Sequence, residues 1–193
     1  MKMLDVSYYF QSDNPSGDGV RECCGTSNAM MLNFVTDNSL DKEAKRLGIE
    51  QPEQIYLDRL ADYGDTTDHG ANTRCLLSFG VESDWFTNLT TKDFMNSINH
   101  RIPLVMGLCY KDRGHVSLGV GYRLERVNEP WIAYFNDPYG SRDEFRDSWL
   151  SNEPLAGKMD VYSKNTFEIV WQGFAGNGWG RLVSKVNGKS TGL

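Results

Sequence analysis

The sequence predicts an α+β fold in which N-terminal helices pack on an antiparallel sheet. Apolar residues with helical spacing mark the first half of the chain, beginning with Met30, Met31, Phe34 and Val35. After Pro103, three short apolar runs separated by polar turns are typical of consecutive strands. A block of helices followed by a block of hairpin-connected strands is the α+β arrangement.

The elements of the first half are bounded by recognisable start and stop signals. Thr90 and Asp93 form a capping-box pattern for one helix, and Gly48 and Gly64 end two others. The expected helices cover residues 26–38, 41–47, 54–63, 71–79 and 91–100, with a short strand over 81–86.

The second half predicts strands over 103–110, 115–124 and 131–136. Phe145, Trp149 and Leu150 indicate a short helix, and the alternation over 166–171 indicates a further strand. We expect one domain over residues 1–186, because 193 residues suit a single core. Residues 187–193 are polar and glycine-containing, and we expect a flexible tail there.

Composition narrows the function classes. The net charge is −6 and no long basic run is present, which argues against nucleic acid as a partner. No apolar stretch is long enough to cross a membrane, and residues 1–5 do not resemble a secretory signal, so we expect synthesis in the cytoplasm and no membrane partner. We also expect a monomer. The four cysteines lack metal-site spacing, and we expect reduced thiols without a metal or organic cofactor.

A cysteine pair at a predicted helix start is the strongest chemical signal. Cys23, Cys24 and Gly25 join a polar loop to the first helix. A thiol at a helix N-terminus has a lowered pKa, because the helix dipole stabilises the thiolate. Cys24 is therefore a candidate nucleophile, although a single cysteine is more often a small buried hydrophobe.

A candidate base lies downstream. His115 opens one predicted strand, and the next strand runs directly into Asn136 and Asp137. Adjacent antiparallel strands would bring these residues close together. A carboxylate or amide there can orient an imidazole that serves the thiol, so Asp137 and Asn136 compete for this role.

These motifs together resemble the papain-like cysteine peptidases of the bacteriocin-leader-processing (double-glycine) type over roughly residues 6–140. The resemblance rests on Gln11, on Cys24-Gly25 at the start of a helix that continues Ser-Asn-Ala-Met-Met-Leu, on Gly-His-Val with Gly-Tyr after it, and on Asn-Asp-Pro. In that family the nucleophile is the cysteine before the glycine, which matches Cys24 rather than Cys23. The resemblance implies a papain-like fold with Cys24 as nucleophile, His115 as base and Asp137 as the orienting group. It also implies that Gln11 donates to the oxyanion, although the Gln-to-Cys spacing is longer here because of residues 12–22.

Three further residues are candidates for substrate binding: His69, Trp179 and Asn136. Asp68 and His69 form either a helix-entry cap or part of a cleft wall. Trp171 and Trp179 lie in or beside a glycine-rich segment and serve either as stacking surfaces for substrate or as core residues.

The resulting hypothesis is amide hydrolysis through a thioester. A single-domain enzyme of this kind resembles the peptidoglycan-cleaving endolysins of bacteriophages, which implies cell wall lysis after release through a pore. The alternatives are a specific protease acting on a protein or leader peptide, a zinc amidase using His69, His115 and a carboxylate or Cys24, and a non-catalytic binding module. Acyl transfer to an amine rather than to water is also compatible with the motifs.

Overall fold

A computed structural model describes residues 1–15, 19–110, 113–124, 131–143, 148–172 and 177–193. The helices in these ranges are α1 (Cys23–Val35), α2 (Ser39–Leu47), α3 (Glu53–Ala61), α4 (His69–Ser78), α5 (Thr91–Asn99) and α6 (Lys164–Gln172). The strands are β1 (Lys2–Met3), β2 (Val81–Leu89), β3 (Leu104–Tyr110), β4 (Arg113–Arg123), β5 (Ile132–Asn136), β6 (Ser141–Asp143), β7 (Ser148–Ser151), β8 (Asp160–Ser163), β9 (Gly178–Val186) and β10 (Lys189–Ser190).

An antiparallel sheet forms one layer of the molecule. Its main path runs β10-β9-β3-β4-β5-β8, while β1 pairs with β4 and β2 pairs with β9. The strands β6 and β7 form a separate two-stranded hairpin. Of the helices in the first half, α1, α4 and α5 pack against the sheet, and α2 and α3 pack on α1. The predicted α+β architecture is confirmed.

Helix α1 is the central element of the helical layer. It contacts β3 and β4 of the sheet as well as α2, α3 and α4. All residues from Cys24 to Asn33 are buried, which is the pattern of a helix covered on every side. The Ser27 hydroxyl donates to the Val116 carbonyl at 3.2 Å and ties the helix to β4. This packing fixes the position of the α1 N-terminus over the sheet.

Three sequence predictions about local structure were wrong. Residues 166–171 belong to α6, because Phe167, Val170 and Trp171 share one buried helical face. Trp149 lies in β7 and not in a helix, while Phe145 lies outside the described residues. The chain end is not a free tail: β10 pairs with β9 after a turn at Asn187 and Gly188, and the Thr191 amide donates to the Ser184 carbonyl at 2.9 Å.

No helix in the described part of the chain is both long and apolar enough to cross a membrane.

Candidate active site

A buried histidine and a buried aspartate are paired at one end of the central strands. His115 Nε2 lies 2.9 Å from both Oδ1 and Oδ2 of Asp137. The register of β4 against β5 pairs Leu118 with Asn136, and this brings the residue that follows β5 to the start of β4. Asp137 Oδ1 also accepts from the Tyr139 amide at 2.9 Å, so the carboxylate is held on two sides.

The thiol that contacts this pair belongs to Cys23. It is the first residue of α1, three residues earlier than the predicted helix start, and its side chain is hydrogen-bonded to His115. Since Nε2 of His115 faces Asp137, the other ring nitrogen is the one available to the thiol.

The environment favours a charged thiol–imidazole pair. Burial alone would raise the pKa of the Cys23 thiol, but the hydrogen bond and positive charge of His115 lower this pKa below its ordinary value. Burial would lower the pKa of His115, but the charge and hydrogen bond of Asp137, with the bond to Cys23, raise it to about 10. Both shifts therefore favour the charged forms of the two groups, the thiolate of Cys23 and the imidazolium of His115.

Cys24, the cysteine expected from the sequence to face His115, points elsewhere. Consecutive residues of an α-helix are about 100° apart around its axis, so adjacent side chains cannot share one partner. Cys24 Sγ lies 3.7 Å from His69 Nδ1 and 3.5 Å from Asn28 Nδ2. Burial and the neighbouring Cys23 raise the pKa of the Cys24 thiol to about 12, so this thiol stays protonated. The structure therefore contradicts the placement of Cys24 beside the base.

Gln11 is not positioned as the sequence predicts. Its side-chain amide donates to the carbonyl of Gly19, and its Oε1 is buried without a hydrogen-bond partner among the described residues. Gln11 does not line the cleft that contains Cys23 and His115. The carbonyl of Gly19, which lies in the longer segment between Gln11 and α1, therefore occupies this amide.

Asn136 also lies away from the cleft. Its Nδ2 donates to the Val6 carbonyl at 3.2 Å, and its Oδ1 accepts from the Met159 amide at 3.1 Å. The side chain is buried and links β5 to the N-terminal segment and to the chain leading into β8. Of the two competing residues, Asp137 alone contacts His115, and Asn136 is not placed to bind substrate.

The paired cysteine and histidine open into a cleft of about 210 Å³ with mainly apolar walls. His69 and Trp179, two of the residues expected from the sequence to contact substrate, lie in its wall. The lining residues are Cys23, Cys24, Thr67, His69, Trp85, Gly107, Leu108, Gly114, His115, Val116, Trp171 and Trp179. Trp179 is 43% exposed, whereas Trp171 is buried and its Nε1 donates to the Trp179 carbonyl at 2.8 Å.

His69 forms a second polar point in this cleft. The neighbouring Asp68 caps α4 as predicted, accepting from the amides of Gly70 at 2.7 Å and Ala71 at 3.1 Å. The His69 ring stacks on Trp85 with centroids 3.6 Å apart and planes 9° from parallel. Burial and the charge of Arg181 lower the pKa of His69 to about 4, so this imidazole is neutral at physiological pH.

Sequence reasoning missed two residues of this region. Trp149 packs edge-on against the His115 ring at 5.3 Å, and its own ring also contacts Tyr139. Arg181 is fully buried behind the cleft, where its guanidinium donates to the His69 carbonyl at 2.9 Å and to the Thr73 hydroxyl at 2.7 Å. No sequence pattern marked Arg181, because the strand β9 that carries it was not predicted.

The ligand set of a zinc amidase is not assembled in the described part of the chain, which brings together no group of three His, Cys, Asp or Glu side chains able to hold a metal. His115 is bound to Asp137 and Cys23, while His69 lies against Cys24.

A thiol at a helix N-terminus, hydrogen-bonded to a histidine that a buried aspartate orients, is the site of a cysteine peptidase. The sequence model of the Peptidase_C39 like family matches residues 3–178, and the chain belongs to this family. The protein is therefore a hydrolase of the cysteine peptidase class with a papain-like fold, as its motifs predicted. No curated protein matches the chain.

Proposed function

We propose that this protein hydrolyses an amide bond through a thioester on Cys23, with His115 as general acid and base and Asp137 as the orienting group. The observation that carries this assignment is the continuous hydrogen-bonded row of Cys23, His115 and Asp137 at the mouth of a cleft. The sequence placed the nucleophile at Cys24; the contacts of the two thiols favour Cys23 instead.

The reaction follows from the protonation states. The Cys23 thiolate attacks the carbonyl carbon, and the C=O electron pair moves onto the oxygen. Collapse of this tetrahedral intermediate breaks the C–N bond, and the His115 imidazolium gives its proton to the departing amine. Water then attacks the thioester while His115 takes its proton, and collapse releases the acid and the Cys23 thiolate.

The fixed surroundings support these steps. The first N–H groups of α1 have no partner within the helix and lie beside Cys23, where a developing oxyanion needs donors. The negative charge of Asp137 stabilises the imidazolium that each proton transfer forms. Trp149 covers one edge of His115 and limits the access of water to the ion pair.

For the substrate, we propose the peptide part of peptidoglycan, in the manner of a bacteriophage endolysin that reaches the cell wall through a pore. The resemblance of a small catalytic domain to such enzymes supports this. The half-exposed Trp179 beside the cleft also supports it, because an indole face can stack on a sugar ring next to the cleaved peptide. The alternative is a protease specific for one protein or leader peptide.

The test uses purified peptidoglycan and permeabilised Gram-negative cells, with mass spectrometry of the released fragments. Wild type is compared with Cys23→Ala and Cys24→Ala, and Cys75→Ala is the matched control because Cys75 is a buried thiol of α4 outside the cleft. We expect clearing by wild type and Cys75→Ala and none by folded Cys23→Ala.

The other outcomes are equally informative. Clearing by Cys23→Ala, lost in Cys24→Ala, would return the nucleophile to Cys24. If neither the wild type nor any variant clears the wall, but iodoacetamide selectively modifies Cys23 of the wild type at neutral pH, the substrate is a protein instead. Fragments joined to an added amine would identify a transferase.

A further inference from the structure

The oxyanion in the proposed reaction needs a side-chain donor that Gln11 does not provide. The Gln11 amide is engaged by the Gly19 carbonyl and is absent from the lining of the cleft. Backbone N–H groups at the start of α1 supply part of the stabilisation. A second donor has to come from a residue that lines the same cleft as Cys23.

His69 has a ring nitrogen that is open to such a role. Its Nδ1 is the atom that lies 3.7 Å from Cys24 Sγ, and its Nε2 has no hydrogen-bond partner among the described residues. His69 lines the cleft together with Cys23 and His115, so its ring borders the space that a substrate would enter.

The Cys24 thiol determines which ring nitrogen carries that proton. Cys24 Sγ already accepts from Asn28 Nδ2 at 3.5 Å, and Asn28 is itself held by its bond to the Cys24 carbonyl at 2.8 Å. Because the Cys24 thiol stays protonated, it has one S–H group to donate, and His69 Nδ1 is the ring nitrogen within reach of it. A neutral imidazole that accepts at Nδ1 carries its proton at Nε2.

The ring is also held in place and kept neutral by its neighbours. Trp85 stacks on one face, and Arg181 holds the backbone of His69 through its carbonyl. The positive charge of the buried Arg181 disfavours protonation of the His69 ring, which agrees with the lowered pKa of His69. A rigid, neutral N–H donor is what stabilisation of a transient anion requires.

We infer that His69 Nε2–H donates to the oxyanion of the tetrahedral intermediate at Cys23, and that Cys24 acts as a positioning residue which sets the His69 tautomer. This inference rests on the proposed function. It involves no bond change at His69 or Cys24: the donor keeps its proton, while Cys23 forms the bond to carbon and His115 moves the protons.

The first experiment separates oxyanion stabilisation from thiol reactivity. Acylation of Cys23 by p-nitrophenyl acetate passes through an oxyanion, whereas its alkylation by iodoacetamide does not. The variants are His69→Phe, which keeps a ring over Trp85 but has no donor, and His69→Gln, which restores an amide donor.

For His69→Phe we expect the acylation rate to fall by about 100-fold, the usual loss for one oxyanion donor, while the alkylation rate stays unchanged. His69→Gln should recover part of the acylation rate. The inference is overturned if acylation by His69→Phe equals that of wild type, or if acylation and alkylation fall together.

A second measurement tests the role of Cys24. In ¹⁵N NMR spectra we expect His69 of the wild type in the Nε2–H tautomer, without titration between pH 5 and 8. Cys24→Ser, which keeps a donor, should preserve this tautomer, while Cys24→Val should change it. A wild-type His69 that is protonated at Nδ1 contradicts the inference.

The two proposals fail in different ways. If the wild type shows neither acylation nor selective alkylation of Cys23, the proposed function fails and the catalytic role of His69 fails with it. If the wild type is acylated and His69→Phe is acylated equally fast, only the inference about His69 fails.

Discussion

At the scale of single residues, two adjacent cysteines of α1 acquire opposite acid–base properties. His115 stabilises the charged form of Cys23, whereas Cys24 is buried against Asn28 and the neutral His69. Consecutive residues of a helix point in directions about 100° apart, so Cys23 and Cys24 contact different side chains. For this reason one thiol is activated and its neighbour stays protonated.

The pH dependence of Cys23 alkylation should report this activation. We expect the iodoacetamide rate of the wild type to rise with pH through an inflection below the ordinary cysteine pKa, because His115 favours the thiolate. In His115→Ala, burial still raises the pKa of Cys23, but the histidine that lowers it is gone. The inflection should therefore move to higher pH, and the alkylation rate at neutral pH should fall about tenfold for each unit by which the Cys23 pKa rises.

The control for this profile is His100→Ala, which removes an exposed histidine at the end of α5. It should leave the inflection where it is in the wild type. An identical inflection in His115→Ala and wild type would show that His115 does not activate the thiol.

The sequence was sufficient to place His115 and Asp137 together, because neighbouring antiparallel strands bring the start of one to the end of the next. It was insufficient to choose between Cys23 and Cys24, because the choice depends on which face of α1 packs on the sheet. The position of Gln11 depends on the path of the following segment, and no local pattern specifies that path.

At the scale of secondary structure, the segment after β5 is clamped by its neighbours. The Asp137 amide donates to the Gly157 carbonyl at 2.9 Å, and the Tyr8 hydroxyl donates to the Asp137 carbonyl at 2.8 Å. A Cβ atom on Gly157 would lie 2.0 Å from the Asp137 carbonyl oxygen. Only glycine allows the two backbones to approach so closely.

Gly157→Ala should therefore displace Asp137 and weaken the fold. We expect a loss of about 1–3 kcal/mol in the free energy of unfolding, the usual cost of overpacking, with slower alkylation of Cys23. Chemical denaturation and iodoacetamide kinetics measure the two effects. Gly114→Ala is the stability control, because nothing lies within 4 Å of an added Cβ there; equal stabilities of the two variants would disprove the clamp.

The β6–β7 hairpin contributes a cover for the catalytic pair. Trp149 contacts the edge of His115. In Trp149→Ala, water should enter beside His115 and weaken its interaction with Asp137. The inflection in the alkylation rate of Cys23 should then shift toward the ordinary cysteine pKa. Trp149→Phe should retain most of the effect, because it keeps an aromatic edge. An unchanged inflection in Trp149→Ala would show that the hairpin has no such role.

Element boundaries illustrate what local patterns can predict. The capping box at Thr90 and Asp93 correctly located the start of α5, and Gly48 correctly located the end of α2. The segment 166–171 was predicted as a strand because alternation and helical spacing coincide over so few residues. In the folded protein α6 contacts β3, β5, β8 and β9, and these contacts bury the face that carries Phe167, Val170 and Trp171.

At the scale of the whole molecule, a buried carboxyl group of α3 links stability to pH. Burial, helped by the nearby acidic side chains of Asp13, Glu22 and Asp41, raises the pKa of Glu53 to about 8 against the opposing hydrogen bond from its own amide. The folded state therefore binds a proton that the unfolded chain has already released between about pH 4.5 and 8.

The sign of this linkage gives a prediction for Glu53→Gln. The contribution of protonated Glu53 is fully present below its unfolded pKa and is lost as pH rises through the folded value of about 8. The neutral variant should thus gain stability relative to wild type as pH rises over this window, with a constant difference above it. Urea denaturation at several pH values measures the difference; a pH-independent difference would contradict the prediction.

The residues of the active site come from distant parts of the chain, with Cys23 on α1, His115 on β4 and Asp137 after β5. During biosynthesis, the cysteine emerges long before its partners and has the reactivity of a free thiol. Activation appears only when β4 has packed against α1 and β5 has paired with β4. The nascent chain therefore carries no activated nucleophile, and rapid labelling of Cys23 becomes a direct count of molecules that have completed their fold.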